Sequence, residues 1–420
     1  MIYKILFISV TLILSFQVFL TKNKAKNSND FLLAGKNLSY FGVAGVIIGT
    51  LVGGASTLGT VQMAYFYGLA GVIFTLGSGI ACIILGLILT DKLYVSNITT
   101  ITEFLGRYIG QRFRKVSSFF STLGIYIHII AQIIASGAII SHFFGLKLIN
   151  GSFISSLIIL LYSVYGGVKG SSVIGKIKIF VIYIVMLVCF FEAFKAGGLY
   201  IFDSLPDNIN WFSLFSYGKK KATFDLIFMI IGVLSTQVYL QAIFSAKSKK
   251  DAVWGSILSA ALIPPVGFLG VYIGMYVRAS GFVTKTGAEV FPYFINSHFS
   301  PLITSIILSF ILFIVLGTAS GLVVGVTTNI YKDFISKLKI KNEISAIRLI
   351  NLTVVSSSYL IVALGFESKI LKWSYLSMGI RGSIVFLPLI AALYFNEKID
   401  LRKIEIFFYI TFAAIIFYMI

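Results

Sequence analysis

The feature that most constrains this chain is the recurrence of apolar runs of about 20 residues along its whole length. Runs of this length can cross the hydrocarbon core of a bilayer as helices. Of the 420 residues, 58% are hydrophobic and 12% are charged, whereas a typical soluble domain has about 25% charged residues. A soluble protein with buried helices is disfavoured, because the runs offer no polar faces to water. We therefore expect an all-α polytopic membrane protein.

The apolar runs divide into twelve predicted transmembrane spans, which we number in chain order. They cover roughly residues 2–20, 40–67, 70–91, 117–145, 151–168, 177–197, 223–246, 252–277, 300–331, 343–366, 371–395 and 404–420. No small-residue cleavage site follows the first run, so we expect a retained helix and not a signal peptide. The last span has about 17 residues, which is the lower limit for crossing a bilayer.

The formal net charge of +19 comes mainly from basic residues in the short connections between spans. These residues build no continuous basic face, which argues against a nucleic-acid-binding protein. Most of them fall in alternate connections, including Lys169, Lys176 and Lys178 between the fifth and sixth spans. The positive-inside rule places those connections in the cytoplasm. A multi-pass protein of the plasma or inner membrane, with both termini outside, is therefore predicted.

Two spans have polar, glycine-containing centres. The second span holds GTLVGGASTLGT (Gly49–Thr60), and the seventh holds IGVLSTQVYLQ (Ile231–Gln241). In transporters, broken helices expose backbone carbonyls and helix ends to ions and substrate at the membrane midplane. Small residues also allow helices to pack closely. The hydroxyl groups beside the glycines favour a broken helix that forms a binding site.

The two polar spans lie five apart, which suits two repeats of five helices each. An odd number of helices per repeat inverts the second repeat relative to the first. We predict an N-terminal extra helix and loop over residues 1–39, a first repeat over 40–197 (spans two to six), a second repeat over 198–395 (spans seven to eleven) and a C-terminal extra helix over 396–420.

The ninth span repeats hydroxyl side chains near helical spacing. They belong to Thr318, Ser320, Thr327 and Thr328. Such hydroxyls commonly bond back to their own helix. A cluster that faced the broken second span would instead form an oxygen-rich site for a hard cation, which prefers oxygen ligands.

Four motifs, in order and in register over about residues 30–395, resemble those of the sodium:solute symporter family. The family's motif at the start of the second helix is similar to DFLLAGKNLSYFGVAG (Asp30–Gly45), and its motif at the end of the seventh to LQAIFSAKSKKDA (Leu240–Ala252). Its motif at the end of the fifth helix resembles LLYSVYGGVKGSSVIGKIK (Leu160–Lys178). Its ninth-helix motif resembles GTASGLVVGVTTNIYKD (Gly317–Asp333).

The resemblance implies a LeuT-type fold and a secondary transporter, not an enzyme, that couples solute uptake to sodium. It also implies a sodium site made of backbone carbonyls from the second and ninth helices and two ninth-helix hydroxyls. By position, these ligands fall on Gly49, Val52, Ile314, Gly317 and Thr318. Gly317 lacks the hydroxyl that the family's pattern has there. Proton coupling or exchange therefore stays open as an alternative to sodium coupling.

The resemblance places the solute in the second, third and seventh spans. The implied substrate-binding positions are Gly53, Gly54, Ser56, Thr75, Ser78 and Gln237. Because these residues are neutral, we expect a small neutral or zwitterionic solute, such as an amino acid, a sugar or a vitamin. The expected partners are this solute, the sodium ion and the lipid bilayer, with no organic cofactor. A transporter-like solute sensor is a further alternative.

Among the ionisable residues inside predicted spans are Arg381 in the eleventh and His128 in the fourth. A charge within the membrane is by default a candidate functional residue. Arg381 could therefore meet an anionic group or a cluster of carbonyl oxygens, or it could extend to the membrane surface. His128 could relay protons or bond to a neighbouring helix.

Overall fold

The computed structural model describes residues 2–20, 28–95, 98–284, 287, 289–336, 342–365, 370–394, 410 and 413. Within these residues the fold is all-helical, with no β-strand and one isolated bridge. Eight helices of this described part are long and apolar enough to cross a membrane. Shorter apolar helices cover Ile2–Phe16, Tyr40–Leu51 and Leu148–Val164.

Each of the first eleven predicted spans corresponds to one helix, a pair of helices or a part of a longer helix. Their bounds are Ile2–Leu20; Tyr40–Leu51 with Thr60–Tyr67; Ile73–Ile84 with Thr90–Val95; Gln111–Phe144; Leu148–Gly197, which holds the fifth and sixth spans; Lys219–Leu234 with Gln237–Phe244; Lys249–Ala279; Pro301–Ile330; Glu343–Ala363; and Ile370–Tyr394. Shorter helices cover Ser28–Leu33, Ile101–Tyr108 and Val290–His298. The twelfth predicted span lies outside the described residues, apart from Ile410 and Ala413.

The fifth and sixth spans are separated by a sharp bend at Gly167 and not by a loop. Gly167 has φ 53° and ψ −162°, a backbone conformation that glycine adopts readily and other residues do not. A Cβ atom at this position would also lie 2.7 Å from the carbonyl oxygen of Phe31. The sixth helix therefore begins directly after Gly167. Lys178 lies inside it and is fully buried, so the prediction that Lys178 belongs to a cytoplasmic loop is wrong.

Between Gly167 and Lys178, the small residues of the sixth helix pack against the second span. A Cβ atom on Gly175 would lie 1.6 Å from the carbonyl oxygen of Gly45, and one on Gly49 would lie 2.9 Å from the Cα of Gly175. Backbones approach this closely only where side chains are absent. The ninth helix, Pro301–Ile330, packs against both of these helices. The second, sixth and ninth helices therefore meet in the interior of the bundle.

A short backbone bridge joins the start of the second span to the end of the seventh. The N–H of Leu38 donates to the carbonyl oxygen of Ser245 (3.0 Å), and the N–H of Lys247 donates to that of Leu38 (2.9 Å). The N–H of Tyr40 donates to Asp251 Oδ1 (2.8 Å) in the first turn of the eighth helix. These three spans therefore begin or end side by side. The inverted repeats and the orientation in the membrane stay predictions.

Candidate functional site

The second span is broken near its centre, as its glycines and hydroxyls predict. The helix ends at Leu51, and the next residue, Val52, has an extended backbone with φ −90° and ψ 97°. Beyond it, the N–H of Gly53 donates to Ser56 Oγ (2.8 Å), and the N–H of Gly54 donates to Gln132 Oε1 (2.9 Å) on the fourth span. Side chains thus satisfy backbone donors that the break frees, as buried backbone groups require.

Thr318 of the ninth helix faces this break. Its hydroxyl oxygen lies 3.1 Å from the carbonyl oxygen of Gly49, 3.0 Å from that of Val52 and 3.3 Å from that of Ile314. A Cβ atom on Gly53 would lie 2.5 Å from the same hydroxyl, so a glycine is needed where Thr318 approaches. The structure thus brings together four of the five implied sodium-ligand positions. We call the oxygens of these four residues, Gly49, Val52, Ile314 and Thr318, the oxygen cage.

The side chain of Lys178 enters the oxygen cage from the sixth helix. Its Nζ donates to the carbonyl oxygen of Gly49 and to Thr318 Oγ1, each at 2.6 Å. Lys178 is 0% exposed, and no carboxylate within the described residues forms an ion pair with it. The sequence carries a signal for this placement. Ser171, Gly175 and Lys178 share one helix face by their spacing of four and three.

Gly317, the fifth implied ligand position, faces the same lysine. A Cβ atom on Gly317 would lie 3.2 Å from Lys178 Cδ, 3.8 Å from its Nζ and 2.7 Å from Ile174 Cγ2. A serine or threonine at this position would compete for space with both side chains. The absence of a side chain at Gly317 therefore leaves the space that the Lys178 side chain occupies.

Of the implied solute positions, Gly53, Gly54 and Ser56 form the break itself. Thr75 and Ser78 are buried on the third span, and each hydroxyl bonds to its own helix. Thr75 Oγ1 donates to the carbonyl oxygen of Val72 (3.0 Å), and Ser78 Oγ donates to that of Phe74 (2.6 Å).

Gln237 directs its amide toward the connection before the fourth span. Its Oε1 accepts from the N–H of Ile101 (3.0 Å), and its Nε2 donates to the carbonyl oxygen of Thr99 (3.0 Å). Both ends of the Gln237 amide are thus engaged with that connection and not with the break in the second span.

The seventh span is broken at Ser235 and Thr236, and Thr236 has an extended backbone with φ −88° and ψ 121°. Arg381 of the eleventh span reaches this break. Its Nη1 donates to Thr236 Oγ1 (2.9 Å), and its Nε and Nη2 donate to the carbonyl and hydroxyl oxygens of Ser377 (3.0 and 2.6 Å). His128 Nδ1 lies 3.5 Å from Nη2. Arg381 is 0% exposed, so it does not extend to the membrane surface.

The buried polar atoms beside the two breaks that have no hydrogen-bond partner among the described residues include Gln132 Nε2, His128 Nε2 and Ser235 Oγ. Buried polar groups without partners are uncommon. In the part of the chain that the structure describes, Arg381 likewise has no carboxylate partner. The unpartnered atoms of Gln132, His128 and Ser235 are free to bond to a solute or to water, and sequence analysis did not single out Gln132 or Ser235 as site residues.

The sodium:solute symporter family matches residues 31–399. The chain belongs to this family. Its relatives include the sodium/glucose cotransporter of Vibrio parahaemolyticus, which is 24% identical over 273 residues, covering 60% of this chain and 50% of that protein. The high-affinity choline transporter 1 of Caenorhabditis elegans is 24% identical over 227 residues, covering 54% of this chain and 39% of that protein. The matched region thus spans half or less of these relatives' lengths.

Solved structures with this fold include a Na+-coupled sialic acid symporter in its substrate-bound outward-open state. It has a TM-score of 0.77 at 15% identity, and the match covers 99% of this chain and 96% of that one. MHP1, a nucleobase-cation-symport-1 family transporter solved in a closed conformation, has a TM-score of 0.66 at 12% identity and coverage of 90% and 84%. The predicted LeuT-type fold is confirmed. Its family and its apolar helices identify the chain as a multi-pass membrane protein.

Proposed function

We propose that this chain is a secondary transporter that carries a small solute across the membrane by alternating access. The observation that carries the proposal is the pair of broken spans, with Gln132 at one break and Arg381 at the other. Interrupted helices in transporters are where solutes and ions bind. Membership of the sodium:solute symporter family and the LeuT-type fold support a transporter and not an enzyme.

Arg381 favours a solute that carries an anionic group. A guanidinium group binds a carboxylate through two parallel hydrogen bonds, and a buried charge is costly unless it is paired. The other free groups beside the breaks, on Gln132, His128 and Ser235, are uncharged donors or acceptors when the histidine is neutral. Among the predicted solute classes, a zwitterion such as an amino acid therefore fits these groups better than a neutral sugar.

The coupling ion is a separate question from solute transport. Family membership supports sodium as that ion. One observation favours the alternative of proton-coupled or exchange transport, which is the position of the Lys178 ammonium in the oxygen cage. Both candidates share the fold, the broken spans and alternating access, so they differ only in what drives the solute.

The test is uptake into proteoliposomes that contain the full chain. A panel of radiolabelled amino acids, sugars and vitamins is offered under a sodium gradient, a proton gradient, neither gradient, or an internal load of the same solute. We expect uptake of at least one carboxylate-bearing solute above that of protein-free liposomes. If no panel member enters or exchanges under any condition, the transporter proposal fails for these solutes and a solute sensor becomes the better reading.

A further inference from the structure

The oxygen cage holds the side-chain nitrogen of Lys178. The Lys178 ammonium carries three N–H donors and no acceptor. The cage presents three carbonyl oxygens and one hydroxyl, all buried. Two of the lysine's hydrogen bonds are made at 2.6 Å, to Gly49 and Thr318. A set of converging oxygen acceptors without a carboxylate suits a single positive charge, and the Nζ atom of Lys178 occupies that place.

The hydroxyl of Thr318 is used in both directions. Its oxygen accepts a hydrogen bond from Lys178, so its one proton can be donated to a carbonyl oxygen of Gly49, Val52 or Ile314. The ammonium therefore links the second and ninth helices from the sixth. A soluble cation in the same cage would link only the helices that provide its oxygens.

The space around Gly317 indicates that the lysine belongs to this arrangement. The stem of Lys178 passes within contact distance of where a side chain on residue 317 would begin. A hydroxyl-bearing side chain would have to displace that stem and Ile174. The hydroxyl that the family's pattern has at position 317 is thus absent at the same place where the Lys178 side chain is present.

We infer that the Lys178 ammonium takes the place of a coupling sodium ion in the oxygen cage, so that the cage binds no sodium. The transport half of this inference, namely uptake without sodium in the cage, rests on the proposed function. The binding half rests on the cage alone and can be tested without any solute.

The first experiment measures binding of 22Na+ to the purified full chain in detergent. We expect the wild type to bind no sodium in the oxygen cage. Any sodium that it does bind should therefore be bound equally by Thr318→Val. A matched control is Lys176→Ala, which removes a neighbouring lysine of the same helix and should behave as the wild type does. The double variant Lys178→Ala/Gly317→Ser vacates the cage and restores a hydroxyl, so it should gain saturable binding that is lost when Thr318→Val is added.

Wild-type protein that binds 22Na+ in a way that depends on Thr318 would overturn the inference. Binding that is unaffected by Thr318→Val lies outside the cage and leaves the inference standing. The wild-type measurement needs no variant of Lys178, so the test survives if Lys178→Ala fails to fold. A second readout is the melting temperature, which we expect to be equal for the wild type in NaCl and in KCl at the same ionic strength. If sodium does change it, Thr318→Val should show the same change, because that effect arises outside the oxygen cage.

The second experiment repeats the uptake assay with the same proteins. We expect uptake by the wild type and by Lys176→Ala to be the same in sodium and in potassium. Uptake by Lys178→Ala/Gly317→Ser should require sodium. Loss of wild-type uptake when sodium is replaced, together with Thr318-dependent 22Na+ binding, would refute the inference. If no protein transports anything, the proposed function fails, and the binding experiment still decides what occupies the cage.

Discussion

Thr318 is the residue on which the arrangement at the second-span break depends most directly. It lies within hydrogen-bond distance of Lys178 and of the carbonyl oxygens of Gly49 and Val52. Among the cage residues it alone contributes a hydroxyl, which can accept from an ammonium and donate to a carbonyl at once. Its replacement therefore affects both the buried charge and the broken backbone.

We expect Thr318→Val, which keeps the shape of the side chain, to destabilise the protein by about 1–3 kcal/mol, because it removes an acceptor from a buried charged donor. Thr318→Ser keeps the hydroxyl and should retain most of the stability and uptake. Thermal unfolding in detergent and solute uptake measure the two effects. A valine variant that unfolds and transports as the wild type does would contradict this role for Thr318.

Arg381→Lys tests whether the guanidinium group recognises an anionic solute. The lysine keeps the charge but loses the planar fork that matches a carboxylate. One charged hydrogen bond contributes about 1.5–3 kcal/mol, so we expect KM for a transported carboxylate to rise at least about tenfold. The KM of the corresponding carboxamide, if it is transported, should change less.

A matched control for this substitution is Arg278→Lys. Arg278 lies at the end of the eighth helix, where its guanidinium group is 5.3 Å from the ring centroid of Tyr65. We expect no selective loss of the carboxylate solute there. Equal changes for the carboxylate and the carboxamide in Arg381→Lys would indicate that Arg381 only positions Thr236 and Ser377.

At the scale of helices, the sequence predicted the two breaks but not the start of the sixth span. The breaks are visible locally, because glycines and hydroxyls interrupt apolar runs around Gly53 and Thr236. The segment around Lys178 is locally typical of a basic loop. Its burial depends on acceptors from the second and ninth helices, which are distant in sequence. The shared helix face of Ser171, Gly175 and Lys178 does not identify these acceptors, and the positive-inside rule cannot distinguish such a lysine from one in a loop.

The bend between the fifth and sixth helices gives a prediction about glycine. Gly167 and Gly198 have nearly the same φ, 53° and 54°, and alanine at a positive φ costs about 1–3 kcal/mol. Of these two glycines, Gly167 is the one where an added Cβ atom would meet a backbone atom, the oxygen of Phe31 at 2.7 Å. At Gly198 the nearest contact would be a Tyr200 ring atom at 3.9 Å. We therefore expect Gly167→Ala to lower the melting temperature more than Gly198→Ala, and equal decreases would contradict the steric argument.

At the scale of the whole molecule, one buried carboxylate joins three separate parts of the chain. Asp333 follows the ninth helix, and its Oδ1 accepts from Arg114 Nη2 (2.7 Å) and Nε (2.9 Å) at the start of the fourth. Its Oδ2 accepts from Thr102 in the short helix Ile101–Tyr108. We expect this contact to hold closed the side of the bundle that is predicted to face the cytoplasm.

Asp333→Asn removes the charge that holds this closure, and breaking such a buried pair costs about 3–5 kcal/mol. We expect the bundle interior to become more accessible. The measurement is the rate at which a maleimide modifies Cys82, which is fully buried, in a Cys189→Ser background. Asp91→Asn is the matched control, because its ion pair with Lys249 is exposed. Equal labelling rates in the two variants would contradict the closure.

The bridge at Leu38 joins the two broken helices into one unit on one side of the bundle. Two backbone hydrogen bonds join the start of the second helix to the end of the seventh, and the bond from Tyr40 to Asp251 adds the eighth. Separating these ends would leave the backbone groups of the buried residues Leu38 and Ser245 unpaired, at about 1–3 kcal/mol for each buried group. The three helices should therefore rock together, with the breaks as their joints. A solute would then leave along the boundary between this unit and its neighbours, and not between the two broken helices.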